Sequence, residues 1–172
     1  DSMLGGNGHD IAEYTNNSSG QGISVNLSAQ FANDGRGGSD TLIGFEEVRG
    51  GSGNDTFIGT GSNDRFRGNG GSDSVDGGGG SEDTIDFSNT NSAVSVNFAT
   101  GEASDGTGGT DRFTNMEVAY TGTASDTLIG SAGEELFDGG MGGDRIDGGA
   151  GADRVRYYNV SGNNTSVVGG VS

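Results

Sequence analysis

The chain has no cysteine, no proline, no tryptophan and no lysine, and its 172 residues include a single histidine. Without cysteine there are no disulfides, no thiolate metal sites and no cysteine nucleophile. Without lysine there is no P-loop lysine and no Schiff-base chemistry. Apolar residues are also scarce: Leu, Ile, Val and Phe together number 31. That share, with a formal net charge of −17, is typical of disordered chains and excludes a conventional two-layer core. No apolar run approaches the roughly 20 residues needed to cross a bilayer, so membrane insertion is not expected. Eight arginines scattered among 25 acidic side chains argue against nucleic acid or an anionic membrane as a partner. No signal peptide is visible; the sequence starts at Asp1, which is consistent with one having been removed.

Glycine is abundant, 38 residues, and it is phased. Acidic residues recur at short intervals: Asp55, Asp64, Asp73 and Asp83, then Asp126, Glu135, Asp144 and Asp153. Glycines precede most of them, and an apolar side chain follows two residues later. The clearest copies are GGMGGDRID (139–147) and GGAGADRVR (148–156), joined by GGSGNDTFI (50–58) and GNGGSDSVD (68–76). The unit is a nonapeptide, G-G-x-G-x-D-x-U-x, with U apolar. A longer period lies above it. Ile23-Ser-Val-Asn-Leu27 returns as Val94-Ser-Val-Asn-Phe98, and Asp40 maps to Asp111 by the same offset. Asp10 heads an earlier relative of the segment at Asp83. The chain thus holds about two super-repeats and the end of another, and reads as a piece of a longer array: an array over 1–160, with 161–172 as a tail or the start of a further repeat.

Such a pattern suits a solenoid of paired nonapeptides, each a turn followed by a short strand. The x-U-x triplet turns one side chain inward and two outward. The expected inward set is Phe57, Phe66, Val75 and Ile85, then Leu128, Phe137, Ile146 and Val155. The fold class is all-β, with about nine coils, each made of two nonapeptides. Residues 44–49 and 88–93 exceed the strict turn, and between Asp83 and Asp111 the phase is lost.

In such a coil, equivalent turns stand two nonapeptides apart. Asp55 then stacks with Asp73, Asp64 with Asp83, Asp126 with Asp144, and Glu135 with Asp153. Facing carboxylates repel unless a cation lies between them. The donors on offer are hard oxygens: these carboxylates, and backbone carbonyls at Gly51, Gly53, Gly71, Gly140, Gly142, Gly149 and Gly151. Calcium takes six to eight such oxygens in irregular geometry, whereas magnesium demands near-ideal octahedra. Asp10, Asp40 and Asp111 complete the candidate set. Roughly four to eight ions are expected from loop counting. With one apolar residue per nonapeptide, metal binding should supply much of the folding energy.

The phased copies resemble the RTX, or haemolysin-type, calcium-binding repeats of secreted bacterial proteins. Asp40-Thr-Leu-Ile-Gly44, Asp126-Thr-Leu-Ile-Gly130 and the pairing of V-S-V-N-F with a later D-R-F-T-N-M-E-V are similar to variants of that repeat. The resemblance implies a right-handed parallel β-roll, a β-solenoid with calcium between stacked turns. It also implies export, often by type I secretion, and folding outside the cell. By position, Asp55, Asp64, Asp73, Asp83, Asp126, Asp144 and Asp153 would be carboxylate ligands. Glu135 in place of Asp, Ser62 in place of Gly and an extra residue at Gly77 depart from the pattern.

Other residues read more plainly. His9 is expected in solvent, the pair Glu46-Glu47 imitates a glycosidase dyad by chance, and Asp76, Asp86, Asp138 and Asp147 are expected outward and solvated. No catalytic role is expected. The functional reading is a rigid, calcium-locked segment of an extracellular or cell-surface protein such as an adhesin. Two rivals are a polysaccharide-binding module, using Arg65, Arg67, Arg145, Arg154, Arg156 and Tyr157-Tyr158, and a subunit that assembles with copies of itself.

Overall fold

The computed structural model describes residues 1–16, 20–156 and 166–167, and among these there are nineteen strands and no helix. The first third contains β1 (Ser2–Leu4), β2 (Ile11–Glu13), β3 (Ser24–Asn26), β4 (Phe31–Asn33), β5 (Ser39–Ile43) and β6 (Glu47–Arg49). Four phased strands follow: β7 (Thr56–Ile58), β8 (Arg65–Arg67), β9 (Ser74–Asp76) and β10 (Thr84–Asp86). The second block opens with β11 (Ser95–Asn97), β12 (Glu102–Ser104), β13 (Asp111–Thr114) and β14 (Val118–Tyr120). It ends with β15 (Thr127–Ile129), β16 (Leu136–Asp138), β17 (Arg145–Asp147), β18 (Arg154–Val155) and β19 (Ser166–Val167). Most strands are this short because the nonapeptide leaves only its x-U-x triplet between one glycine turn and the next.

The strands form two facing sheets. One has twelve strands in the order β1-β5-β4-β3-β7-β9-β13-β12-β11-β15-β17-β19, and the other has seven, β18-β16-β14-β10-β8-β6-β2. In the phased blocks successive strands alternate between sheets, so parallel neighbours in one sheet are a full coil apart, as in Phe57↔Val75 and Leu128↔Ile146. This is a parallel β-roll. The middle side chains of the triplets meet between the sheets: Phe57, Phe66, Val75, Ile85, Leu128, Phe137 and Ile146 are buried, and Val155 is partly so. Phe57 and Phe66 stack across the core at 5.8 Å between ring centroids. Phe98 meets Phe113 and Phe137 edge-on at 5.2 and 5.7 Å. Each such ring pair adds about 0.5–1.5 kcal/mol to the area it buries, which matters where a coil has so few apolar residues.

The sequence period fails at two places, and both have the same cause. After β2 the chain advances past two empty places in the larger sheet to form β3. It then returns antiparallel through β4 to β5, which lies against β1. In the second super-repeat, β11, β12 and β13 repeat this meander. The reversal is local. Asn26 Oδ1 accepts the Ala29 amide at 2.7 Å and Asn97 Oδ1 accepts the Thr100 amide at 3.2 Å, so each asparagine closes the turn that follows it. The turns end on left-handed residues, Gln30 (φ 57) and Gly101 (φ 68). This fills the interval from Asp83 to Asp111, and it also corrects the coil count. Among the described residues the smaller sheet has seven strands where about nine coils are expected, because each super-repeat uses part of its length on the meander.

Candidate metal centre

The phased nonapeptides end their turns on an acidic residue immediately before a strand, so these residues line up along the two edges where chain passes between sheets. Along one edge the Asp55 amide donates to Asp73 Oδ1 at 2.8 Å, and the Asp73 amide to Asp111 Oδ1 at 2.9 Å. The Asp126 amide donates to Asp144 Oδ1 at 2.9 Å. Ile23 and Val94 start these runs, their amides donating to Asp55 and Asp126. Asp40 takes the place in the first super-repeat that Asp111 takes in the second, accepting from the Asp1 nitrogen at 2.9 Å. On the other edge the Asp64 amide donates to Asp83 Oδ1 at 2.7 Å and the Glu135 amide to Asp153 Oδ1 at 3.1 Å. All four pairs expected from the two-nonapeptide coil are neighbours. The extra residue at Gly77 lengthens the step from Asp64 to Asp83 without breaking the ladder. Ser62 is accommodated by the Thr60 hydroxyl, which accepts the Ser62 amide and donates to Asp64. Glu135 folds its longer side chain back onto the Ser131 amide and hydroxyl.

The glycines are required by stacking. Gly142 has φ +122, and a Cβ there would stand 1.9 Å from the Ala124 carbonyl oxygen. Gly151 has φ +129, with the Gly133 carbonyl oxygen 1.8 Å from the same position. Only a residue without Cβ lets one turn rest on the carbonyls of the turn before it. Gly71, Gly140 and Gly149 lie similarly close to carbonyls of the preceding coil, and Gly53 lies against the Gln21 backbone. The Gly51 amide donates to Asp55 Oδ2 at 2.9 Å. Carbonyl oxygens and carboxylates are thereby interleaved at each edge.

These carboxylates are buried without enough partners. Asp55, Asp64, Asp73, Asp83, Asp111, Asp126, Glu135 and Asp144 are all buried. Asp10 Oδ2, Asp64 Oδ1, Asp73 Oδ2, Asp83 Oδ2 and Asp126 Oδ2 accept no hydrogen bond. Burial, then neighbouring carboxylates, pushes the Asp73 carboxyl up to about 8 against the pull of the Asp55 amide. Asp83 and Asp111 are raised to about 6, with burial again first. Burial also raises Asp55, Asp64, Asp126, Glu135 and Asp144. An unpaired buried carboxylate is costly, and a hard dication is the partner that such oxygens lack. Among the described residues no three acidic or histidine side chains converge on one point. A cation here would therefore take carboxylates together with backbone carbonyls.

Asp86 departs from expectation. It stands on the outer face of β10 yet is buried, because Arg65 and Arg67 on the adjacent strand close over it. Burial works to raise its carboxyl, but bonds from Ser88 and the two guanidinium charges outweigh that and hold it low. The other arginines grouped as a glycan surface are also engaged. Arg154 reaches Glu82 at 2.7 Å, Arg156 donates to the Tyr120 hydroxyl at 2.9 Å, and Arg145 lies 3.7 Å from Asp147. Tyr157 and Tyr158 lie outside the described residues. His9 is half exposed but bonds Glu47 at 2.8 Å, and Glu47 is buried against Arg49. Two acidic residues outside the expected ligand set also join the ladder: Glu46 accepts the Asp10 amide and Glu117 the Asp83 amide, each at 3.0 Å. Their matching places in the two super-repeats were the available signal.

Residues 49–81 and 120–155 match the family described as RTX calcium-binding nonapeptide repeat (4 copies). No curated protein matches the chain. The matched stretches contain most of the ladder: Asp55, Asp64 and Asp73 in the first, and Asp126 to Asp153 in the second. Over them the chain carries RTX repeats, and they form a calcium-binding β-roll module.

Proposed function

We propose that this module folds when calcium enters the slots between stacked turns after export, and then serves as a rigid structural spacer in a secreted or cell-surface protein. The observation that carries the reading is the set of buried carboxylate oxygens without partners along both edges. Asp55, Asp64, Asp73, Asp83, Asp111, Asp126, Glu135, Asp144 and Asp153, with Asp10 and Asp40 at the first coils, would supply the carboxylates. Carbonyls at Gly51, Gly53, Gly71, Gly140, Gly142, Gly149 and Gly151 would supply the rest. Four to eight ions would offset much of the −17 charge. In cytosol poor in calcium the same carboxylates repel one another, which suits a chain exported unfolded, as by type I secretion. The array spans 1–160, and the pairing of β19 with β17 favours residues 161–172 as the start of a further repeat.

A spacer is favoured over a glycan-binding face because the arginines that would read a polysaccharide are tied to Asp86, Glu82 and Tyr120. No catalytic role is assigned: His9, the one histidine, is held by Glu47. Small-angle scattering with light scattering tests this. Adding calcium to chelated protein is expected to convert an expanded coil into a compact, elongated monomer. Growth into large particles on adding calcium would instead favour a lattice subunit built from copies of the chain.

A further inference from the structure

The acidic ladder of the second edge is interrupted twice, at Glu46 and Glu117, and both lie outside the stretches that match the nonapeptide repeat. Neither occupies the aspartate position of a nonapeptide. Each follows a meander, at the point where the chain re-enters the smaller sheet. Glu117 Oε2 accepts the Asp83 amide at 3.0 Å, and Glu46 Oε2 accepts the Asp10 amide at 3.0 Å. These are the bonds that a ladder aspartate makes one coil further on. The glutamate backbones turn differently from an aspartate's. The Glu117 amide donates to the Asp83 carbonyl and the Glu46 amide to the Asp10 carbonyl.

The aspartate under each glutamate has an oxygen that nothing satisfies: Asp83 Oδ2, on a residue almost wholly buried, and Asp10 Oδ2. Asp64, on the far side of Glu46, leaves Oδ1 unpaired as well. Backbone oxygens lie alongside. The Asn115 carbonyl oxygen is 1.9 Å from where a Cβ of Gly77 would stand, and the Gly44 carbonyl oxygen is 2.0 Å from the same point on Gly5. One arrangement therefore occurs twice, and each copy places a glutamate beside an aspartate with a buried free oxygen. A hydrogen-bonding cap alone accounts for the amide contact. It does not account for the second carboxylate held next to an unpaired one, which is unfavourable unless a cation is shared.

We infer that Glu46 and Glu117 are calcium ligands, each closing with Asp10 or Asp83 one divalent site at the junction of meander and roll, additional to the sites of the nonapeptide motif. The inference rests on the reading of the stacked turns as calcium slots. Its test is calcium stoichiometry by titration calorimetry on the full chain for the native protein, Glu46→Gln, Glu117→Gln and the double variant. Glutamine preserves an oxygen acceptor for the aspartate amide and removes only the charge. Each single variant is expected to bind one ion fewer, or to weaken one site at least about tenfold, and the double variant to lose two. Circular dichroism at saturating calcium reports that the roll is intact, and the two glutamates stand in different coils, so each variant checks the other. Unchanged count and affinity in both variants, with the native protein binding calcium, would make the glutamates caps only and overturn the inference. Absence of calcium binding by the native protein would instead overturn the reading beneath it.

Discussion

Replacing Asp73 with asparagine is expected to shift the roll's stability in opposite directions with and without calcium. Asp73 is buried between Asp55 and Asp111; Oδ1 takes the Asp55 amide, and Oδ2 takes nothing. Asparagine preserves the Oδ1 acceptor and removes a charge that the metal-free fold cannot satisfy. Removing an unpaired buried charge recovers on the order of 1–3 kcal/mol. In calcium-depleted protein, D73N should therefore lower the osmolyte concentration needed to drive the coil into β structure. With calcium the same change deletes a ligand charge, and the midpoint of the calcium titration should rise at least about tenfold. Each tenfold loss of affinity removes about 1.4 kcal/mol of linked stability. If D73N impaired folding equally in both conditions, Asp73 would be a structural hydrogen-bond acceptor and no more.

Acid is expected to substitute partly for calcium. The sign follows from which state holds the protons more tightly. Asp73 rises to about 8 in the fold, and Asp83 and Asp111 to about 6, from an ordinary value of 3.8. The folded chain therefore binds more protons than the unfolded chain between those values. Its stability is fully present below the ordinary aspartate range, declines as pH rises through 6, and is lost through 8. Glu47 and Asp86 act in the opposite sense: burial raises both, but their hydrogen bonds and arginines outweigh it, so their contribution is lost on strong acidification. Calcium-depleted protein should thus gain β signal as pH falls from 8, with an optimum at roughly pH 4–5. Calcium binding to the folded, calcium-depleted roll should release protons across that window, because those carboxyls are protonated there only in the fold, and its affinity should weaken as pH falls. Calorimetry on calcium-depleted protein held folded by osmolyte, in buffers of different ionisation enthalpy, measures the release; none at pH 6–7 would contradict the buried, metal-shared carboxylates.

The parts of this fold set by the nonapeptide period were legible in sequence. The triplets around Phe57, Phe66, Val75 and Ile85 needed only alternation, and the pairing of Asp55 with Asp73 needed only the coil length. The meanders were not legible, because their antiparallel register depends on a local turn closed by Asn26 or Asn97 and on two places left open in a sheet that is complete only later in the chain. Asp86 was misplaced for a similar reason. Its ninth position does point outward, but the arginines that bury it arrive from the preceding coil, at separations of 21 and 19 residues. Glu46 and Glu117 are out of phase with the aspartates, so the period that revealed the ladder concealed them.

The most direct test of the calcium-locked roll is far-UV circular dichroism during a calcium titration from calcium-depleted protein at pH 7.5. The account predicts a coil spectrum at the start and a cooperative change to β signal as calcium is added, not reproduced by magnesium. A spectrum already rich in β structure without calcium, and unmoved by its addition, would contradict it.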